Sequence, residues 1–141
     1  MEIVVIDGQG GGLGKSIIAK LRSELSDTLL ITALATNDFA SKAMHKAGAN
    51  KSFFGENYIV SYINSNSFDA LIAPIGALCP GGLNNEITYE IASAIFQKNC
   101  DKYIIPLKKH GFYIPGAANL ELKDIIDEIV NKIRKLSELI S

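Results

Sequence analysis

Ile3-Val4-Val5-Ile6-Asp7-Gly8-Gln9-Gly10-Gly11-Gly12-Leu13-Gly14-Lys15-Ser16 stands near the start of the chain. The apolar run Ile3–Ile6 reads as a buried strand. Five glycines crowd into residues 8–14, and a helix-period pattern begins beyond them. A strand, a glycine loop and a helix start in that order aim backbone N–H groups and the positive end of a helix dipole at an anion. The stretch therefore points to a nucleotide site. It names no reaction.

Outward from this junction, apolar runs alternate with helix-period segments. Strands are expected at Ile3–Ile6, Leu29–Leu34, Ser52–Phe54, Ala70–Ala73 and Tyr103–Leu107. The first, second and last are continuous apolar runs, as in parallel strands covered on both faces. Leu13, Ile17, Ile18, Leu21 and Leu25 share one helical face. Thr36 or Asn37 can cap a second helix with a stripe of Phe39, Ala43 and Ala47, ended by Gly48. Glu56–Asn64 reads as strand by its β-branched content and as helix by Ile59, Val60 and Ile63. Asn84 or Asn85 can cap a helix that buries Ile87, Ile91, Ala94 and Ile95, with Glu86 in its first turn. The last helix carries Leu122, Ile125, Ile126, Ile129, Ile133, Leu136 and Ile140 at helical spacing. Phe112–Ile114 reads as a short strand or a surface arm.

This alternation predicts an α/β fold of one domain over residues 1–141. Its core is a doubly wound, mainly parallel five-stranded sheet in a Rossmann-like three-layer α/β/α arrangement. The glycine loop after the first strand favours the Rossmann order, with a flavodoxin-like order as the alternative.

The composition is that of an ordinary soluble globular protein, with 48% hydrophobic and 21% charged residues. A net charge of −1 without a basic block argues against nucleic acid as a partner. No apolar run reaches the roughly 20 residues of a membrane span. A strand beginning at residue 2 or 3 leaves no room for a leader, so a cytoplasmic location is expected. Cys79, Cys100, His45 and His110 form no zinc-ligand spacing, so no metal is expected.

Three phosphate-loop patterns can be laid on the glycines. G-x-G-x-x-G fails in every register: it meets Leu13, Lys15 or Ile17 where its last glycine belongs. The Walker A pattern matches Gly14-Lys15-Ser16 but puts Gln9 at its first glycine. Gly8-x-x-x-Gly12-x-Gly14 fits best and resembles the coenzyme loop of short-chain dehydrogenases, with Asp7 where that family usually has threonine. The resemblance implies an NAD or NADP site. It does not bring that family's chemistry, because Tyr58, Tyr62, Tyr89, Tyr103 and Tyr113 all lack a lysine four residues on. A tight βα turn alone would need fewer glycines.

Ligands of open parallel sheets bind at the carboxyl ends of the strands. The expected cofactor residues are therefore Gly8, Gln9, Gly10, Gly11, Gly12, Leu13, Gly14, Lys15 and Ser16, with Thr36 and Asn37 after the second strand. Glu56 follows the third strand, and Pro74 and Gly76 the fourth. An NAD site usually has an acid at the end of the second strand; here Ala35 or Thr36 stands there, with Asp38 slightly beyond. Glu56 could hold a ribose, a metal or a proton, or serve as a solvated turn residue. Cys79 lacks an arranged base, and Lys108-Lys109 reads as a solvated pair.

The whole chain also resembles a bacterial family of about this length, catalogued only as a domain of unknown function. The matching blocks are Val5–Gly12, Ala33–Asn37, Lys46–Ala49, Gly55–Asn57, Pro74–Gly76 and Glu86–Thr88. The resemblance implies a Rossmann-like domain and no established activity. Ala35 and Ala73 replace glycines of that family, where a methyl group would crowd an approaching ligand. The functional expectation is a stand-alone nucleotide-binding domain with an NAD(P)-type dinucleotide as its small-molecule partner. The alternatives are a small enzyme using Glu56, Lys15 or Cys79 and a scaffold with a vestigial site. Surplus apolar positions on the last helix suggest a homodimer.

Overall fold

A computed structural model describes residues 1–107 and 110–140. Five parallel strands form one sheet: β1 (Glu2–Asp7), β2 (Leu30–Ala35), β3 (Lys51–Phe54), β4 (Ala70–Pro74) and β5 (Asp101–Ile105). Their order is β3-β2-β1-β4-β5. This is the Rossmann order, reversing direction between β1 and β4, rather than the flavodoxin order. Helices α1 (Gly12–Glu24), α2 (Asp38–Lys46), α3 (Glu56–Ser65), α4 (Tyr89–Gln97) and α5 (Leu122–Ile140) connect and flank the strands.

Strand alternation sorts the core into two layers. Ile3, Val5, Ile31, Ala33 and Ile72 face α1, α2 and α5. Val4, Ile6, Leu34, Leu71 and Ala73 face α3 and α4. All ten side chains are fully buried, as continuous apolar strands require. Ala35 and Ala73 point into opposite layers of this core.

The structure decides some local readings left open by the sequence and corrects others. Glu56–Ser65 is a helix: Ile59 and Ile63, one turn apart, are both fully buried, and that pattern outweighs the β-branched content. The buried face of α2 is Ala40, Ser41 and Met44, while Phe39 is exposed. Asn37 does cap α2, its side chain accepting from Ala40 N–H at 2.8 Å. The helix before β5 starts later than Asn84 or Asn85. Thr88 caps it, accepting from Ile91 N–H at 3.3 Å. Thr88→Ala is expected to cost about 1 kcal/mol of stability, read from urea midpoints. β5 begins two residues earlier than the apolar run and ends at Ile105. Phe112–Ile114 is not a strand. No helix among the described residues is long and apolar enough to cross a membrane.

Candidate functional site

The glycine loop sits at the carboxyl end of β1, beside the reversal of strand order. Asp7 closes β1 and is nearly buried. One carboxylate oxygen accepts from Gly8 N–H at 2.8 Å and the other from Gly14 N–H at 2.7 Å. The carboxylate thus staples both ends of the loop. Burial pushes its carboxyl above the usual aspartate value and the charge of Glu86 adds to that, opposed by N–H bonds from Gly14, Gly8 and Leu13. Gly14 lets α1 lie against the strand: a Cβ there would stand 2.7 Å from Met44 Cε and 3.0 Å from Asp7 Cβ. Gly11, at φ 74°, caps α1 in the left-handed region and lies against Ala40 of α2.

The loop's N–H groups divide into two sets. Gly11 donates to Gly8 O at 2.9 Å, and Gln9 donates to a Glu86 carboxylate oxygen at 2.8 Å. Among the described residues, the N–H groups of Gly10 and Gly12 meet no protein acceptor. A Cβ added at either would meet nothing within 4 Å. Two unpaired N–H groups and two uncrowded Cα atoms at the start of a 13-residue helix make this loop a candidate anion cradle. A pyrophosphate or phosphate fits this donor set.

The cradle opens into a cavity of about 240 Å³. Gly8–Leu13 and Pro74–Gly76 line two sides; Leu83, Leu107 and Phe112 give it an apolar wall, and Asn84 and His110 stand at its edge. Of the residues expected from sequence, the structure gathers here Gly8, Gln9, Gly10, Gly11, Gly12, Leu13, Pro74 and Gly76. Gly14 is buried beneath the loop. Lys15 and Ser16 are exposed on the outer side of α1, and the Ser16 hydroxyl donates back to Gly12 O at 3.0 Å. Glu56 is exposed in the first turn of α3, away from the cavity lining. Cys79 also stays outside the lining. Lys108 and Lys109 lie outside the described residues. Among the described residues, no three His, Cys, Asp or Glu side chains gather as a metal site would need.

Thr36 and Asn37 lie beside the loop rather than in the cavity, tied to a residue the sequence reading placed in a helix. Glu86 bonds the Thr36 hydroxyl, accepts from Asn37 Nδ2 at 3.0 Å, and takes the Gln9 N–H already described. All three donors meet its Oε1. Burial alone would raise the Glu86 carboxyl; the hydrogen bonds from Thr36, Gln9 and Asn37 outweigh it and hold the group below the usual glutamate value.

Glu86 reaches this position through an unusual turn. Leu83, Asn84 and Asn85 all have positive φ, at 51°, 56° and 66°. Three successive non-glycine residues wind left-handed, at about 1–2 kcal/mol each and least for asparagine. Charge-assisted hydrogen bonds of roughly 1.5–3 kcal/mol each can hold such a turn. So can contact: Gly82 lies against Gly76, and Leu83 packs over Gly8 and Gly76. Strain of this kind concentrates where a backbone must hold a particular side chain in place.

A family model covers residues 2–138 of the chain, that of the domain of unknown function DUF3842. The chain belongs to this family. The search of curated proteins finds no match. Among solved structures it is similar to a crystal structure of a dodecameric FMN-dependent UbiX-like decarboxylase from Escherichia coli O157:H7. Identity is 12%, the alignment covers 98% of this chain and 94% of that one, and the TM-score is 0.53. At that identity the likeness is one of fold.

Proposed function

We propose that this member of the DUF3842 family binds a nucleotide of the NAD(P) type, with the pyrophosphate on the Gly10–Gly12 cradle. The observation that carries the reading is the pair of Gly10 and Gly12 N–H groups, without an acceptor among the described residues, at the start of α1 beside the reversal of strand order. Electrostatics narrow the ligand class. Two carboxylates, Asp7 and Glu86, already hold loop N–H groups. Their charge exceeds the roughly half positive charge of a helix dipole. A nucleoside triphosphate with its bare terminal phosphate is disfavoured there, and a pyrophosphate diester is tolerated. The apolar wall of Leu83, Leu107 and Phe112 suits a planar ring at the other end of the ligand. That wall also favours a second reading, a flavin mononucleotide, whose ring would fill the cavity, although its terminal phosphate would meet the same two carboxylates. FMN dependence is a property of the similar decarboxylase.

Calorimetric titration with NAD⁺, NADH, FMN and ATP tests both readings. Micromolar to sub-millimolar binding of a nicotinamide dinucleotide, with ATP at least about tenfold weaker, supports the first. Tighter FMN binding supports the second, and no binding of any at millimolar concentration rejects both. Gly12→Val separates binding from folding. Its Cβ meets open space in the protein, so the melting temperature should stay within about 3 °C of the parent. The side chain fills the cradle, so affinity should fall at least about tenfold. Leu122, Leu139 and Ile140 are exposed on α5, and we place a homo-oligomer contact there. Native mass spectrometry reads assembly and bound ligand together.

A further inference from the structure

We propose that Glu86 receives the ribose hydroxyls of the bound dinucleotide and rejects a 2′-phosphate, so that the site selects NAD over NADP. This deepens the dinucleotide reading and rests on it. A Rossmann-type dinucleotide site needs an acceptor for the adenosine ribose at the end of the second strand. In this chain β2 ends in Ala35-Thr36-Asn37, with no acid among them. The nearest acid in sequence, Asp38, is turned to Lys42, with which it makes an ion pair at 3.1 Å. The carboxylate beside Thr36 and Asn37 is that of Glu86, brought across from the β4–α4 connection.

The geometry is that of a held acceptor. Thr36 and Asn37 from the end of β2 and Gln9 from the glycine loop converge on Oε1. Among the described residues Oε2 has no hydrogen-bond partner, and it is left to take a hydroxyl. The Asn37 amide also donates to Gln9 O at 2.9 Å, which ties the glycine loop to the end of β2 and to the carboxylate. The left-handed turn from Leu83 to Asn85 is the backbone device that delivers it. A ribose diol offers O–H donors to such an oxygen. A 2′-phosphate brings a second negative charge to the same place, and none of the groups that hold Glu86 is a cation. Recognition of that phosphate would call for an arginine or lysine there.

The test is calorimetry of the full chain with NAD⁺ and NADP⁺, comparing the parent with Glu86→Gln and Asp38→Asn. Glutamine keeps a carbonyl oxygen for the three donors and removes the charge. The parent should prefer NAD⁺ by at least about tenfold. Glu86→Gln should narrow that ratio at least about fivefold, by weakening NAD⁺ and strengthening NADP⁺, with the melting temperature within about 3 °C of the parent. Asp38→Asn should leave the ratio unchanged. If the parent binds dinucleotides but the ratio is unmoved by Glu86→Gln, or moves with Asp38→Asn instead, Glu86 is not the selecting residue and the dinucleotide reading survives. If the parent binds FMN and neither dinucleotide, both fall.

Discussion

Gly82→Ala is expected to break the turn over the glycine loop and, with it, both stability and ligand binding. A Cβ at position 82 would stand 1.8 Å from the carbonyl oxygen of Gly76 and 2.7 Å from its carbon. Both atoms are backbone, so no side-chain rotation relieves the overlap. The turn must separate from the β4 end by more than an ångström. That separation withdraws Leu83 from Gly8 and Gly76, and Glu86 from Gln9, Thr36 and Asn37. A backbone clash plus three lost hydrogen bonds is expected to cost about 3 kcal/mol or more. For a chain of this length that is a fall of roughly 10 °C in melting temperature. Gly81→Ala is the comparison. Gly81 has φ 88°, but its added Cβ would meet only Asn85 Oδ1, at 3.6 Å. It carries conformational strain without overlap and should cost about 1–2 kcal/mol. Equal effects of the two substitutions would remove the close Gly76–Gly82 contact as the cause.

This turn marks the limit of what could be read in the sequence. The strand–loop–helix start was legible because each part carries its own local signal: Ile3–Ile6 is continuous, the glycines are dense, and Ile17, Ile18 and Leu21 recur on one helical face and are buried. The strand order followed from the position of the loop after β1. Asn84 and Asn85 gave a signal with two meanings. Asparagine is a favoured helix cap and also one of the few residues that tolerate left-handed backbone. Local sequence cannot choose between these, and the fit of Gly82 and Leu83 against Gly76 and Gly8 decides it. Glu86 was missed as a site residue for a related reason. Its partners Gln9, Thr36 and Asn37 are 77, 50 and 49 positions away, and periodicity carries no information at that range. β5 shows the milder failure. It is an edge strand, and its first residues Asp101 and Lys102 pair in register with Ala70 and Leu71 without being apolar.

Asp7→Asn should expose how the loop is fastened. Each carboxylate oxygen of Asp7 accepts one N–H, from Gly8 and from Gly14. An asparagine offers one oxygen and one NH₂, so in either orientation one of those N–H groups meets a donor. Leaving a buried donor unpaired costs about 1–3 kcal/mol, a fall in melting temperature of several degrees at neutral pH. The pH dependence carries the sharper expectation. Burial raises the Asp7 carboxyl above 3.8, with Glu86 adding to the rise. The folded protein therefore takes up this proton before the unfolded chain does. Folded and unfolded forms differ in bound protons between the raised value and 3.8, and in that window stability rises as pH falls. The asparagine variant has no such titration. Glu86 titrates in the opposite sense, its bonds being lost as pH falls through a value below 4.5. It is present in both proteins and largely drops out of their difference. The gap in urea midpoint between parent and variant should thus widen from pH 7 towards pH 4. A gap that closes instead would mean that the N–H bonds, and not burial, set the Asp7 carboxyl. The staple would then favour the charged form, and its ionisation would stabilise the loop.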